Sequence, residues 1–169
     1  ILQEYGNYVW SQDEGVYMIL EHWCDYNEEQ LLANDGFMLW VNTAHEYAEA
    51  SMGFSSNLSY ANFQDHGFNA PHAVSYMESH DEERLMYNNL NWGNSAVGYD
   101  IEELEIALKR IELTACFHVL LPGPKLIWQF QELGYDYSIN TCSDGITVSE
   151  SCRIEAKPVR WDYYDNPLR

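Results

Sequence analysis

Positive charge is what this chain has least of. Among 169 residues, Lys and Arg together number 8 against 27 Asp and Glu, a formal charge of −19. Binding to a phosphate backbone needs clustered Lys and Arg, so this balance argues against nucleic acid as a partner. It is compatible with a neutral ligand such as a sugar. Long apolar runs are also missing. No stretch approaches the roughly eighteen apolar residues that read as a membrane span, so none is expected. No secretory leader precedes Ile1-Leu2-Gln3, and no Met opens the sequence. The chain is therefore read as an internal piece of a longer polypeptide, and the missing leader says nothing about its location. His45, His66, His72 and His118 show no ligand spacing, and neither an H-x-x-x-H nor a Cys-His metal pattern is found. No metal and no cofactor are expected.

Aromatic residues are plentiful: 6 Trp, 13 Tyr and 6 Phe, 15% of the chain. Many must be core. The excess of Trp and Tyr also suits a sugar, whose apolar C–H face packs on an aromatic ring while polar neighbours take the hydroxyls. Four cysteines are present. Cys24 and Cys116 lie in apolar or strand-end settings and read as free and packed. Cys142 and Cys152 bracket a polar loop, SDGITVSES. They either close a disulfide, which would place the chain in an oxidising, secreted or extracytoplasmic setting, or are two unrelated thiols.

Hydrophobic spacing sets the order of elements. Ile1–Ser11 reads as a helix. Val16–Leu20 (VYMIL) and Phe37–Val41 (FMLWV) are continuous apolar runs of the buried-strand type. Between them Asn27–Asn34 holds one or two helical turns, closed by Asp35-Gly36. His45–Met52 is helical. Gly53–Pro71 is a long connection with core contacts. Ala73–Met77 is a third strand. Met86–Tyr99, rich in Asn and Gly, reads as a surface loop. Asp100–Leu121 is the strongest helix, with Asp100 as its cap and Glu103 three residues on; Pro122-Gly123-Pro124 stops it. Lys125–Phe130 is a fourth strand, and residues 135–169 form an irregular tail. Alternating strands and helices imply an α/β fold with a parallel sheet.

The third strand runs into Glu78-Ser79-His80-Asp81 and then Glu82-Glu83-Arg84. A strand that delivers carboxylates and a histidine into the following loop is how an α/β scaffold presents a site. Other strands end in Glu21, Asn42 and Glu132. Ordinary polar punctuation after an apolar run would look the same.

The Glu78–Asp81 segment resembles the fourth conserved region of the alpha-amylase family, glycoside hydrolase family 13. There a strand ends in a carboxylate followed by Asn, His and Asp; Ser79 stands in place of the Asn. Two further segments are similar to the family. Leu121-Pro122-Gly123-Pro124 with LIWQF and Glu132-Leu133-Gly134 looks like the eighth-strand region, with Gln131 where Gly is common. Lys157–Tyr163 looks like a segment that follows the barrel.

The resemblance implies half of a TIM-type (β/α)8 barrel, strands five to eight, as one partial domain over residues 1–169. It implies Glu21 as general acid/base and Asp81 as the carboxylate that binds sugar hydroxyls and stabilises the transition state. His80 would contact the same sugar and Trp23 would line the cleft; Glu132 is either a residue of the cleft's rim or a solvated loop acid. The substrate implied is an alpha-glucan or maltooligosaccharide such as starch. Calcium is common in the family, although no calcium loop stands out here.

The chemistry fits these residue types. Retaining hydrolysis needs an acid for the leaving oxygen and a carboxylate nucleophile on the other face of the sugar. Burial and neighbouring charge would keep Glu21 protonated. The family's nucleophile is an Asp with an Arg two residues before it, on a preceding strand, and no such segment occurs. The expectation is a catalytic fragment that is inactive alone. Its partner would be the missing half of the barrel, or a second copy meeting it edge to edge. Trp40 is expected in the core, and Arg84 is expected to pair with Glu78, Glu82 or Glu83. A non-catalytic glucan-binding module and an unrelated α/β interaction domain remain open as alternatives.

Overall fold

The computed structural model describes residues 1–169. Four strands form one parallel sheet in the order β1-β2-β3-β6: β1 (Ile19–Leu20), β2 (Met38–Asn42), β3 (Ala73–Tyr76) and β6 (Lys125–Leu126). Five helices connect or flank them: α1 (Leu2–Gln12), α2 (Tyr26–Asn34), α3 (Ala44–Ser51), α4 (Leu85–Trp92) and α5 (Leu104–Leu120). A small antiparallel hairpin, β4 (Ser95–Ala96) with β5 (Tyr99–Asp100), lies between α4 and α5. The fold is mixed α/β, as the alternating pattern implies. No helix is long and apolar enough to cross a membrane.

The central pair carries the sheet. Leu39 registers with Ala73, and Asn42 with Tyr76. Leu39 and Val41 are buried, while Trp40 and Asn42 point to the opposite face and line a cleft. That alternation is the two-residue period of a strand. Behind the sheet, Tyr47, Met77, Leu85, Met86, Ala107 and Ile111 form the largest core cluster, where α3, α4 and α5 pack on one another. A second cluster joins Ala33 of α2 to Leu39, Val41, Phe68 and Ala73. A third, of Phe130, Tyr135 and Tyr163, gives the tail a small core of its own.

Local signals explain the helix ends. The Asp25 carboxylate accepts from the Asn27 and Glu28 amides, capping α2, and Glu28 and Glu29 sit at its positive end. At Gly36 the chain turns with φ +112, a conformation that disfavours any residue with a Cβ. Thr43 donates to the Tyr76 carbonyl at 2.7 Å and ties the end of β2 to the end of β3.

Four expectations are corrected. The Val16–Leu20 run shrinks to the two residues of β1, with Tyr17 80% exposed, because β1 pairs only with β2 and its other edge is open. Met86–Tyr99 is not a loop. Leu85, Met86 and Asn89 are buried at helical spacing, and Asn89 donates to the Ala107 carbonyl of α5, so asparagine serves here as a core residue. The long helix begins at Leu104 rather than Asp100, which is engaged in β5 and accepts from the Glu102 amide. The fourth strand ends at Leu126. Gln131 Oε1 accepts from the Trp128 amide, and Phe130 adopts a left-handed φ of 59, so the chain turns away from the sheet.

Cys142 and Cys152 are joined by a disulfide, and Cys24 and Cys116 are free. Lys157 ties both ends of this loop, donating to the Thr141 carbonyl at 2.8 Å and the Cys152 carbonyl at 2.6 Å. Closing a loop of 10 residues restricts the unfolded chain by about 2–3 kcal/mol. Replacing both cysteines by Ser is expected to lower unfolding free energy by about that amount. Urea melts of the two proteins without reductant check it; equal midpoints would contradict the loop's contribution.

Candidate functional site

The site is built on the C-terminal end of β3. Glu78 is 1% exposed, directly after the buried Ala73–Met77 run. Its Oε2 accepts from the Leu85 amide at 2.8 Å, which fixes the first turn of α4. Its Oε1 has no partner. Burial pushes this carboxyl up to about 7, against a smaller opposing pull from the Leu85 amide and the Arg84 guanidinium.

Between Glu78 and Leu85 the chain is pinned at almost every residue. The Ser79 hydroxyl donates to Glu82 and accepts from the Asp81 amide. Asn42 at the end of β2 donates to Glu82 at 2.8 Å. Glu83 accepts from the Ser138 hydroxyl at 2.6 Å and the Ile139 amide at 2.7 Å. Arg84 is buried and donates to the Ser79 and Glu82 carbonyls. The expected side-chain pairing of Arg84 with Glu78, Glu82 or Glu83 is therefore corrected. The buried guanidinium is used to close the loop on itself, where carbonyls are nearer than carboxylates. Arg153, next to the disulfide, donates to the Asp81 carbonyl from outside.

This bracing leaves His80 and Asp81 exposed at the apex, with His80 Nε2 3.2 Å from Asp81 Oδ2. Glu21 comes to meet them from the end of β1. One donor atom from each of Glu21, His80 and Asp81 lies within 4.8 Å of the others. The three border a cleft of about 350 Å³ whose aromatic walls are Trp23, Trp40, Tyr76 and Trp128. Trp40 packs edge-on against Tyr76 at 6.0 Å, and Trp128 lies 5.9 Å from the His80 ring. Burial raises the Tyr76 phenol, and the carboxylates of Glu82, Asp81 and Glu21 add to the rise. A second hollow of about 380 Å³ continues past His80 and Asp81 toward Arg153 and Lys157.

The structure brings Glu21, His80, Asp81 and Trp23 together around one cleft. Three placements differ. Glu132 is outside the cleft, beside Trp161 in a separate hollow, because the chain leaves the sheet at Leu126. Trp40 lines the cleft instead of the core, since it alternates with the buried Leu39 and Val41. Glu21 is exposed, whereas an acid that holds its proton by burial needs to be enclosed. Its neighbour His22 turns away from it and pairs with Glu28 at 3.0 Å. Sequence reasoning did not single out Trp128 or Tyr76. The signal for Tyr76 was available: it ends β3, two residues before Glu78. Trp128 had none, because its position depends on the turn after β6.

The cleft's polar groups and aromatic faces are suited to a polyhydroxylated ligand: carboxylates and an imidazole for hydroxyls, rings for C–H faces. Glu21, His80 and Asp81 are also close enough to share one cation of moderate hardness. The Cys142, Cys152 and Glu155 group offers no metal site, since both sulfurs are in the disulfide. No family model matches this chain, and no curated protein matches it.

Glu78 makes a pH prediction with a definite sign. Its carboxyl titrates at about 7 in the fold and near 4.5 when free, so between those values the unfolded chain gives up the proton first. Stability is expected to fall as pH rises through that window, by about 3 kcal/mol. His118 acts oppositely: burial lowers it to about 4 from 6.5, so its contribution is lost as pH falls. Glu78→Gln keeps the acceptor for Leu85 and removes the titration. The difference between the variant's and the wild type's unfolding free energies should grow in the variant's favour from pH 4.5 to 7. A pH-independent difference would contradict the assignment.

Proposed function

We propose that these 169 residues are part of a retaining, alpha-glucan-active glycoside hydrolase of the alpha-amylase type. The observation that carries this reading is the convergence of Glu21, His80 and Asp81 from two strand ends onto one Trp-walled cleft. In the family that Glu78–Asp81 resembles, residues in these places serve one sugar subsite. On this reading Glu21 protonates the leaving oxygen. Asp81 and His80 bind the hydroxyls of the same sugar and hold it toward the oxocarbenium-like transition state. Trp23 and Trp128 give that sugar apolar walls. The Glu78–Leu85 and Asn42–Glu82 hydrogen bonds keep Asp81 in place.

The sheet then represents strands five to eight of a (β/α)8 barrel. Its two open edges, β1 and β6, are where the other half would pair. The nucleophile belongs to that half, and double displacement cannot run without it. The exposure of Glu21 is consistent with this: the walls that would enclose it are contributed from across the closed barrel. The disulfide supports an oxidising, extracytoplasmic location. A second reading, glucan binding without catalysis, is favoured by the same exposure of Glu21, since binding does not need an enclosed acid.

The test follows tryptophan fluorescence during titration with maltoheptaose. Saturable binding is expected, weakened about tenfold or more in Asp81→Ala through the loss of charge-assisted hydrogen bonds. No binding by the wild type would sink both readings. Turnover is expected only when the upstream half is supplied, and Glu21→Gln should then reduce it by roughly 10²–10⁴-fold. Full activity in that variant would remove Glu21 from its role and leave binding alone.

A further inference from the structure

On the far side of the β1–α2 link from the cleft, three side chains of different chemistry converge. His22 and Cys24 are two residues apart on the link, and Glu28 comes back to them from the first turn of α2. His22 Nε2 is 3.0 Å from Glu28 Oε1, and one donor atom from each of His22, Cys24 and Glu28 lies within 4.8 Å of the others. We propose that His22, Cys24 and Glu28 form a binding site for a divalent transition-metal ion of the zinc type, separate from the cleft and independent of the glucan reading.

The donor set decides the class of ion. Imidazole nitrogen, cysteine sulfur and carboxylate oxygen are the three ligand types zinc takes, at about 2.0–2.3 Å. In a tetrahedron those lengths put ligand atoms roughly 3.3–3.6 Å apart. A group already within 4.8 Å closes on an ion by side-chain adjustments of about an ångström. Three protein ligands leave the fourth position to water. Calcium and magnesium select all-oxygen sites, so a thiol and an imidazole disfavour them.

The surroundings favour a cation. Asp25, Glu28 and Glu29 gather their carboxylates on the cap and first turn of α2, next to the link that carries His22 and Cys24. An incoming ion breaks the S–H bond, the proton leaves to solvent, and the sulfur–metal bond forms with no change of oxidation state. The negative charge gathered there is offset once a dication is present. Position is supplied by the fold. The Asp25 cap fixes the turn that presents Glu28, and all three ligands are at least partly open to solvent, so an ion can enter. The spacing of His22, Cys24 and Glu28 along the chain follows no standard metal-ligand pattern. Only the reversal of the chain into α2 makes them a group.

The experiment titrates the 169-residue chain, disulfide intact and without reductant, with Co²⁺ and then Zn²⁺. One equivalent of Co²⁺ should produce a near-ultraviolet sulfur-to-cobalt charge-transfer band, and Zn²⁺ should erase it. Zn²⁺ should also slow reaction of Cys24 with a thiol reagent while the exposed Cys116 continues to react. Cys24→Ser should abolish the band. Glu28→Gln, which keeps the thiol, should weaken binding by about tenfold or more. Asp81→Asn should change neither, which separates this site from the Glu21, His80 and Asp81 group, whose ligands include no sulfur. Cobalt binding without the charge-transfer band would overturn the proposal and leave His22–Glu28 as a plain hydrogen bond. A band that survives in Cys24→Ser, or disappears in Asp81→Asn, would overturn it as well.

Discussion

One buried carboxylate holds the arrangement together. Glu78 lies two residues beyond β3, is almost fully enclosed, and spends one oxygen on the Leu85 amide at the start of α4. That bond sets the distance between the end of the strand and the beginning of the helix, and so the shape of the six residues between them. An apolar residue at this position would leave the amide unpaired in the core, which is costly. A carboxylate satisfies it, and its neutral form is favoured by the same burial. The loop that results has its own polar groups turned inward, onto Asn42, Ser138 and Ile139. Only His80 and Asp81 are left facing out.

The tail is the other half of this support. Residues beyond Leu126 contribute no strand, yet they hold the loop from the side. Ser138 and Ile139 take Glu83, and Arg153 takes the Asp81 carbonyl. Their rigidity comes from a small aromatic core, from Lys157 spanning the ends of the loop, and from the Cys142–Cys152 bond. Arg160 and Arg169 lie over the Tyr163 ring at 3.9 and 3.8 Å and pair with Asp162 and Asp136. A chain with so few cations places four of its eight basic residues, Arg153, Lys157, Arg160 and Arg169, in this segment. Cross-bracing by charge replaces the hydrophobic area that a strand and helix would have buried.

Chemistry on this chain is concentrated at strand ends and at the turns that follow them, where backbone geometry is constrained but side chains are free. The cleft group and the His22, Cys24 and Glu28 group both flank the link after β1. They are separated by the direction in which successive side chains leave it: Glu21 and Trp23 toward the cleft, His22 and Cys24 away. Two side-chain groups on one short link share a scaffold without sharing a residue.

The apolar runs by themselves determined the parallel α/β character, the positions of β2 and β3, and the identity of the loop that carries His80 and Asp81. Those features follow from short-range pattern: a run of Val, Tyr, Met and Leu must be covered, and a polar residue after it must come out. The pairing of Cys142 with Cys152 was visible as one of two choices. Tertiary structure decided the rest. Asn89 reads as a loop former until its partner across α5 is known. Trp128 reaches the cleft, and Glu132 misses it, because of a turn closed by Gln131. Glu21 meets Asp81 through two strand pairings that link residues 60 positions apart. Contacts of that range depend on register and twist, which no local pattern of residue types contains.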